Sequence, residues 1–232
     1  IFQTPKKSNS KEMYYENSSL ENSVENSSLN RYTTKDKLDS AATESATWYI
    51  SDYMESLQES DVSEEFILNK ANSLIDVLKD HPELRNDLVL SSFMKTIESL
   101  FHRDNSLISA ATYRICRYLI NGKHFITTLL DMGIDKFMDK SLDKDDKYLI
   151  EREQALKLIR RMSDYEDGIT TDIFQILINC IEKNTDILRI IEVETLLELC
   201  FKIPNIAKEC QGIHVLSKLL QECSSFELTS II

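Results

Sequence analysis

The chain has 232 residues, 42% of them apolar and 28% charged, with a formal net charge of −12. Four glycines and three prolines are too few for the turns of a strand-rich domain. The acidity disfavours nucleic acid and anionic membrane surfaces as partners, since both are held through Lys and Arg that displace counterions.

Residues 1–42 are low in large apolar side chains and repetitive: Glu16-Asn17-Ser18-Ser19-Leu20 is echoed by Glu25-Asn26-Ser27-Ser28-Leu29. Such Asn/Ser/Glu-rich sequence cannot offset the entropy of ordering and is expected to be a disordered leader. From residue 43 onward the pattern becomes helical. Ile50, Tyr53, Met54 and Leu57 follow the i, i+3, i+4, i+7 spacing of one helix face, and Ile67, Ala71, Leu74, Ile75 and Leu78 follow it on the next helix. Pro82 stops that helix. Leu90 to Phe101 forms another. The clearest stripe is Ile108, Ala111, Thr112, Ile115, Cys116 and Leu119, with Asn105 or Ser106 as its N-cap and Gly122 as its stop. Helices over 123–131 and 134–142 divide at Met132-Gly133. Asp143 to Asp146 is a charged loop, and helices over 147–163, 169–183 and 186–203 follow. Pro204 breaks the last of these, and a short pair near 205–210 and 212–222 completes the pattern. The run Leu228 to Ile232 ends the sequence on apolar residues, and the start at Ile1 suggests a piece of a longer protein.

The chain also repeats itself. Residues 112–119 align with 155–162 at an offset of 43, and 155–162 align with 196–203 at an offset of 41. A unit of about 40–45 residues is the HEAT/armadillo period. One such unit is too thin to bury its own apolar face, so neighbours must stack. The expected fold is therefore all-α: a HEAT/armadillo-like helical-repeat solenoid over 43–232, preceded by the disordered leader.

Two segments carry a family likeness. Ala110-Ala111-Thr112-Tyr113-Arg114-Ile115-Cys116-Arg117-Tyr118-Leu119-Ile120 resembles the rictor-family segment AAxxRxxRYLI, and Glu151 to Met162 is similar to that family's ERxQALxLxRxM. Their order and separation fit as well. The likeness spans roughly Phe66 to Leu220, and the Asn/Ser-rich leader suits a fungal member. It implies the N-terminal helical-repeat region of the rictor-type subunit of TOR complex 2. That would be a scaffold beside TOR kinase and a Sin1-type subunit in growth and actin cytoskeleton signalling, placed in the cytoplasm and, through its complex, at the plasma membrane. A generic armadillo/HEAT peptide-binding adaptor is the alternative. Its usual ladder of Trp and Asn is missing from a chain with one Trp.

No constellation for catalysis, cofactor or metal is visible. His81, His102, His124 and His214 are far apart in sequence, no HExxH, GxSxG or Gly-rich phosphate loop occurs, and the carboxylates are spread over helix faces. Cys116, Cys180, Cys200, Cys210 and Cys223 stand at irregular spacings without a CxxC, the pattern of reduced thiols in helix cores. No apolar run is long enough to span a membrane. Trp48, Tyr49 and Tyr53 read as core or as a cap on the array. Phe93, Phe101, Phe125, Phe137 and Phe174 read as core.

One feature suggests a binding face. Arg114 and Arg117 lie i, i+3 on one helix; Lys157, Arg160 and Arg161 lie at matching places on its repeat partner. Helical geometry points them away from the apolar stripe, and stacking would join them into one basic stripe. Three uses compete for it: inter-repeat salt bridges to Glu151, Glu153 or Asp164; recognition of an acidic or phosphorylated peptide, which Arg forks suit; and a nucleic-acid or lipid patch, which the overall acidity disfavours.

Overall fold

The computed structural model describes residues 48, 50–57, 62–86, 90–184 and 187–222, all within one compact unit. The leader and Cys223 lie outside the described residues. Every regular element among the described residues is helical. α1 covers 50–57. The others are α2 (Glu64–Asp80), α3 (Leu90–Phe101), α4 (Ser106–Leu119), α5 (Lys123–Asp131), α6 (Ile134–Leu142), α7 (Leu149–Met162), α8 (Thr171–Lys183), α9 (Arg189–Lys202), α10 (Pro204–Glu209) and α11 (Gly212–Glu222). Single-turn 3-10 segments at Pro82–Asn86 and Asp146–Tyr148 precede α3 and α7.

Local chemistry sets most of these boundaries. The Ser63 hydroxyl accepts from Phe66 N at the start of α2, and Thr170 does the same for Ile173 N at the start of α8. Asn105 caps α4, its Oδ1 accepting from Leu107 N and Ile108 N at 2.9 and 3.1 Å. Pro204 opens α10, where its missing N–H costs nothing. Gly133 sits in the left-handed region, φ 82°, and turns the chain from α5 into α6. Gly122 does not act as the expected left-handed stop of α4. Ile120 caps that helix, and Gly122, extended at φ 177°, precedes the first residue of α5. Gly212 is required for packing instead: a Cβ there would come within 2.9 Å of the Phe174 ring.

The helices form two rows. α2, α4, α7 and α9 pack in series as the long-helix row. α3, α5 with α6, α8, and α10 with α11 form the other row, each packed against the long helix of its own unit or the adjoining one. Apolar faces from both rows merge into one core. Ile67, Ala71, Leu74, Ile75 and Leu78 of α2 join Ile108, Ala111, Ile115, Cys116 and Leu119 of α4, then Ala155, Leu158, Ile159 and Met162 of α7, then Val193, Leu196 and Leu199 of α9. Each large aliphatic side chain so buried is worth roughly 1.5–3 kcal/mol. Phe93, Phe101, Phe125 and Phe174 are buried as expected, and Phe137 is half-buried with its ring stacked on Phe101 at 4.8 Å between centroids. Trp48 differs from expectation: it is 63% exposed.

Polar contacts repeat the period. Asn105 reaches Glu64 across 41 residues, Arg161 reaches the Ile120 carbonyl across 41, Arg152 reaches Glu192 across 40 and Lys202 reaches Asp164 across 38. All four join one rung to the next. The Arg152–Glu192 pair is fully buried at 2.9 Å, and the Cys180 thiol donates to the same Glu192 Oε1 at 3.0 Å. A second buried network runs from Tyr113 Oη to Ser141 Oγ to Glu151 Oε1, with Lys144 closing on both Glu151 oxygens at 2.8 and 2.6 Å.

Removing one partner of a buried ion pair strands the other charge. Glu192→Ala is therefore expected to lower unfolding stability by about 3–5 kcal/mol, while a joint Arg152→Met/Glu192→Leu change recovers most of the loss; urea denaturation of the three variants checks this. The Lys202 hydrogen bond, opposed by partial burial and aided by Arg161, holds the Asp164 carboxyl below its usual range. Its stabilising effect is thus present above the ordinary Asp pKa of about 3.9 and disappears as pH falls through the depressed folded value. Asp164→Asn should be less stable than wild type at pH 6, and the gap should close toward pH 2 in thermal melts.

Candidate functional site

The exposed face of the long-helix row is the surface on which the basic residues fall. On α4, Arg114 and Arg117 are half-buried. Arg114 reaches Asn72 of α2 at 3.5 Å, a long contact, and Arg117 lies 5.5 Å from the Tyr118 ring centroid. On α7, Lys157 pairs with Glu153 of its own helix at 3.0 Å. Arg160 crosses to α9, bonding Glu198 at 3.0 Å and standing 3.6 Å from Glu194. Arg161 turns the other way. It bonds Asp164 at 3.1 Å, the Tyr165 hydroxyl at 3.0 Å and the carbonyl of Ile120 behind α4.

Stacking therefore brings α4 and α7 side by side, but the five cations do not present one uniform charge. Arg160 and Arg161 diverge toward opposite neighbours and work as clamps between rungs. The Glu153 and Asp164 pairs of Lys157 and Arg161 stay within one rung, i,i+4 and i,i+3, and the carboxylates that meet the stripe across rungs are Glu194 and Glu198. Glu151 does not meet the stripe, because it is held in the core by Ser141 and Lys144. Arg114 and Arg117 have no carboxylate partner among the described residues, and they form the more available part of the set.

An apolar line on the same row lies outside the residues that spacing alone singles out. Phe66, Leu107 and Ile150 are 40%, 47% and 56% exposed. They occupy matching places in the first turns of α2, α4 and α7, separated by 41 and 43 residues, the same offsets that relate the helices themselves. Those offsets were the available signal; each residue alone reads as one more apolar position. Lys70 lies over the Phe66 ring at 5.5 Å.

Burial raises the Cys116 and Cys180 thiols far above their usual range and pushes Cys200 up to about 11. Among the described residues no group of three or more His, Cys, Asp or Glu could hold a metal ion, and no helix is long and apolar enough to cross a membrane.

Comparison with known proteins fits this architecture. Residues 68–232 match the family model described as rapamycin-insensitive companion of mTOR, N-terminal. The target of rapamycin complex 2 subunit TSC11 of Saccharomyces cerevisiae is 51% identical over 193 residues, which cover 83% of this chain and 14% of that protein. The target of rapamycin complex 2 subunit ste20 of Schizosaccharomyces pombe is 31% identical over 160 residues, covering 65% of this chain and 12% of that protein. The chain thus spans about one seventh of the length of these relatives. In fold it is similar to a designed armadillo repeat protein solved in complex with the peptide (KR)4: the TM-score is 0.58 at 12% identity, covering 82% of this chain and 88% of that one. The matched residues take in all of α3 to α11 and most of α2, and this helical-repeat chain belongs to the rictor family, whose fungal relatives are subunits of target of rapamycin complex 2.

Proposed function

We propose that this array is a non-catalytic scaffold module of a rictor-type subunit, which helps assemble TOR complex 2 and so supports signalling in growth and actin cytoskeleton control. The observation that carries the reading is the coincidence of the family match at 68–232 with the stacked helical array. The mechanism is binding. A solenoid presents an extended surface whose rungs are fixed by their neighbours, and such a surface can order several partner segments at once. TOR kinase and a Sin1-type subunit are the proposed partners, in the cytoplasm and, through the complex, at the plasma membrane. Nucleic acid is not among them: a chain with a net charge of −12 lacks the cationic surplus that a polyanion needs.

The long-helix face is the proposed contact surface. Its apolar line of Phe66, Leu107 and Ile150 supplies area to bury, and Arg114 and Arg117 supply donors for a carboxylate or phosphoryl group. The second reading is a generic armadillo peptide adaptor. What supports it is that a designed armadillo repeat protein of similar fold is solved in complex with the peptide (KR)4. The cations on the present face would select an acidic peptide instead.

Affinity capture with the 232-residue chain from a fungal extract, read by mass spectrometry, is expected to enrich TOR kinase or its Sin1-type subunit. Recovery of unrelated acidic peptides alone would favour the adaptor. Charge reversal separates contact from architecture. Arg117→Glu should reduce partner recovery severalfold with an unchanged melting temperature. Arg160→Glu, set against Glu194 and Glu198, should lower stability by about 1 kcal/mol in thermal melts.

A further inference from the structure

The exposed apolar line at Phe66, Leu107 and Ile150 is bordered by charge of opposite sign on its two sides. Taking the long-helix face as the contact surface, we propose that the occupant of this line is an amphipathic α-helix of a partner protein. It lies across the rungs, with a basic flank over the N-terminal ends of α2, α4 and α7 and an acidic flank over Arg114 and Arg117.

The rung spacing selects a helix. α2, α4 and α7 pack side by side. Asn105 Nδ2, just before α4, donates to Glu64 Oε2 in the first turn of α2 at 2.7 Å, and Arg161 near the end of α7 donates to the Ile120 carbonyl just past α4 at 3.1 Å. The three helices are therefore parallel with like ends level, and Phe66, Leu107 and Ile150 fall abreast. The axes of packed helices are roughly 8–10 Å apart, which sets the step along the line. Residues seven apart on an α-helix share a face and stand about 10.5 Å apart, close to that step. Same-face residues of a β-strand come at about 6.6 Å or about 13 Å and miss it. A polyproline II segment, at about 9.3 Å per turn, would keep step. Such segments dock in aromatic-lined grooves, however, and Leu107 and Ile150 are aliphatic.

Charge sets the flanks. Glu65, Asp104 and Asp146 are exposed at the N-terminal ends of the three helices. Lys147 in the same band stands 4.0 Å from Asp145. On the other side, Arg114 stands seven residues after Leu107 and so on the same face of α4, with Arg117 nearly one turn further on. Lys157 holds the matching place on α7, where Glu153 pairs with it at 3.0 Å. A partner helix is about 10–12 Å across, wide enough to reach both bands from the apolar line, as an extended segment is not.

Site-specific photo-cross-linking in the full-length subunit, within its assembled complex, tests this. A benzophenone side chain is placed in turn at Phe66, Leu107 and Ile150, and the adducts are mapped by mass spectrometry. The expected result is three adduct sites on one partner segment at intervals of about seven residues, with Lys or Arg on one flank and Asp or Glu on the other. Leu107→Asp should reduce the adduct yield from the other two positions by about tenfold. The far-UV circular dichroism of the 232-residue chain should be unchanged by it, since Leu107 is 47% exposed. Intervals of two or three residues, adducts scattered over separate segments, adducts on lipid, or no adduct from any of the three positions overturn the proposal. The seven-residue interval on a protein other than TOR kinase or a Sin1-type subunit keeps the helix and overturns only the choice of those partners.

Discussion

The packing of one long helix against the next is the constraint on which everything else rests. Among the described residues no single unit has an apolar layer thick enough to exclude water from both sides. α4 buries Ile108, Ile115 and Leu119 only because α2 lies on one flank and α7 on the other. The short helices complete the cover but do not replace that contact. Their turns are correspondingly varied: a left-handed Gly133 between α5 and α6, and a left-handed Gln211, φ 59°, between α10 and α11. The turn chemistry changes from unit to unit while the long-helix stack persists.

Stacking also explains how the surface is divided. Residues pointing along the row direction meet the next rung and become part of the architecture, as Arg160 does with Glu198 and Lys202 with Asp164. Residues pointing outward remain available, as Leu107 and Ile150 do. A side chain's role is therefore set by a rotation of a few tens of degrees about its helix, which is why neighbours such as Arg160 and Arg161 serve different contacts.

That sensitivity marks the limit of what was legible in the sequence. Helix existence followed from apolar spacing, and the cap at Asn105 followed from a short polar residue before an apolar run. The repeat was legible because Ile115 and Leu158 stand at equal depth in successive rungs. Two things were not. Arg152 and Glu192 look like surface charges in a one-dimensional pattern, and only the approach of α7 to α9 reveals that each is buried by the other's helix. The basic stripe had the opposite fault. Spacing set its members apart from the apolar stripe and offered Asp164 as a nearby anion, but it carried no information on the Glu194 and Glu198 carboxylates that meet Arg160 from α9.

The buried Arg152–Glu192 pair has a consequence for assembly. Apolar rungs of similar shape could in principle slide by one turn, or stack in another order, and still hide their aliphatic side chains. Here such a slip would leave a guanidinium and a carboxylate each facing hydrocarbon, at a cost of several kcal/mol per ion. With Glu151, the neighbour of Arg152 on α7, linked through Ser141 to Tyr113 of α4, the buried polar groups act as a key between successive units. They make α7 and α9 non-interchangeable partners and give a quasi-periodic chain a unique order of assembly.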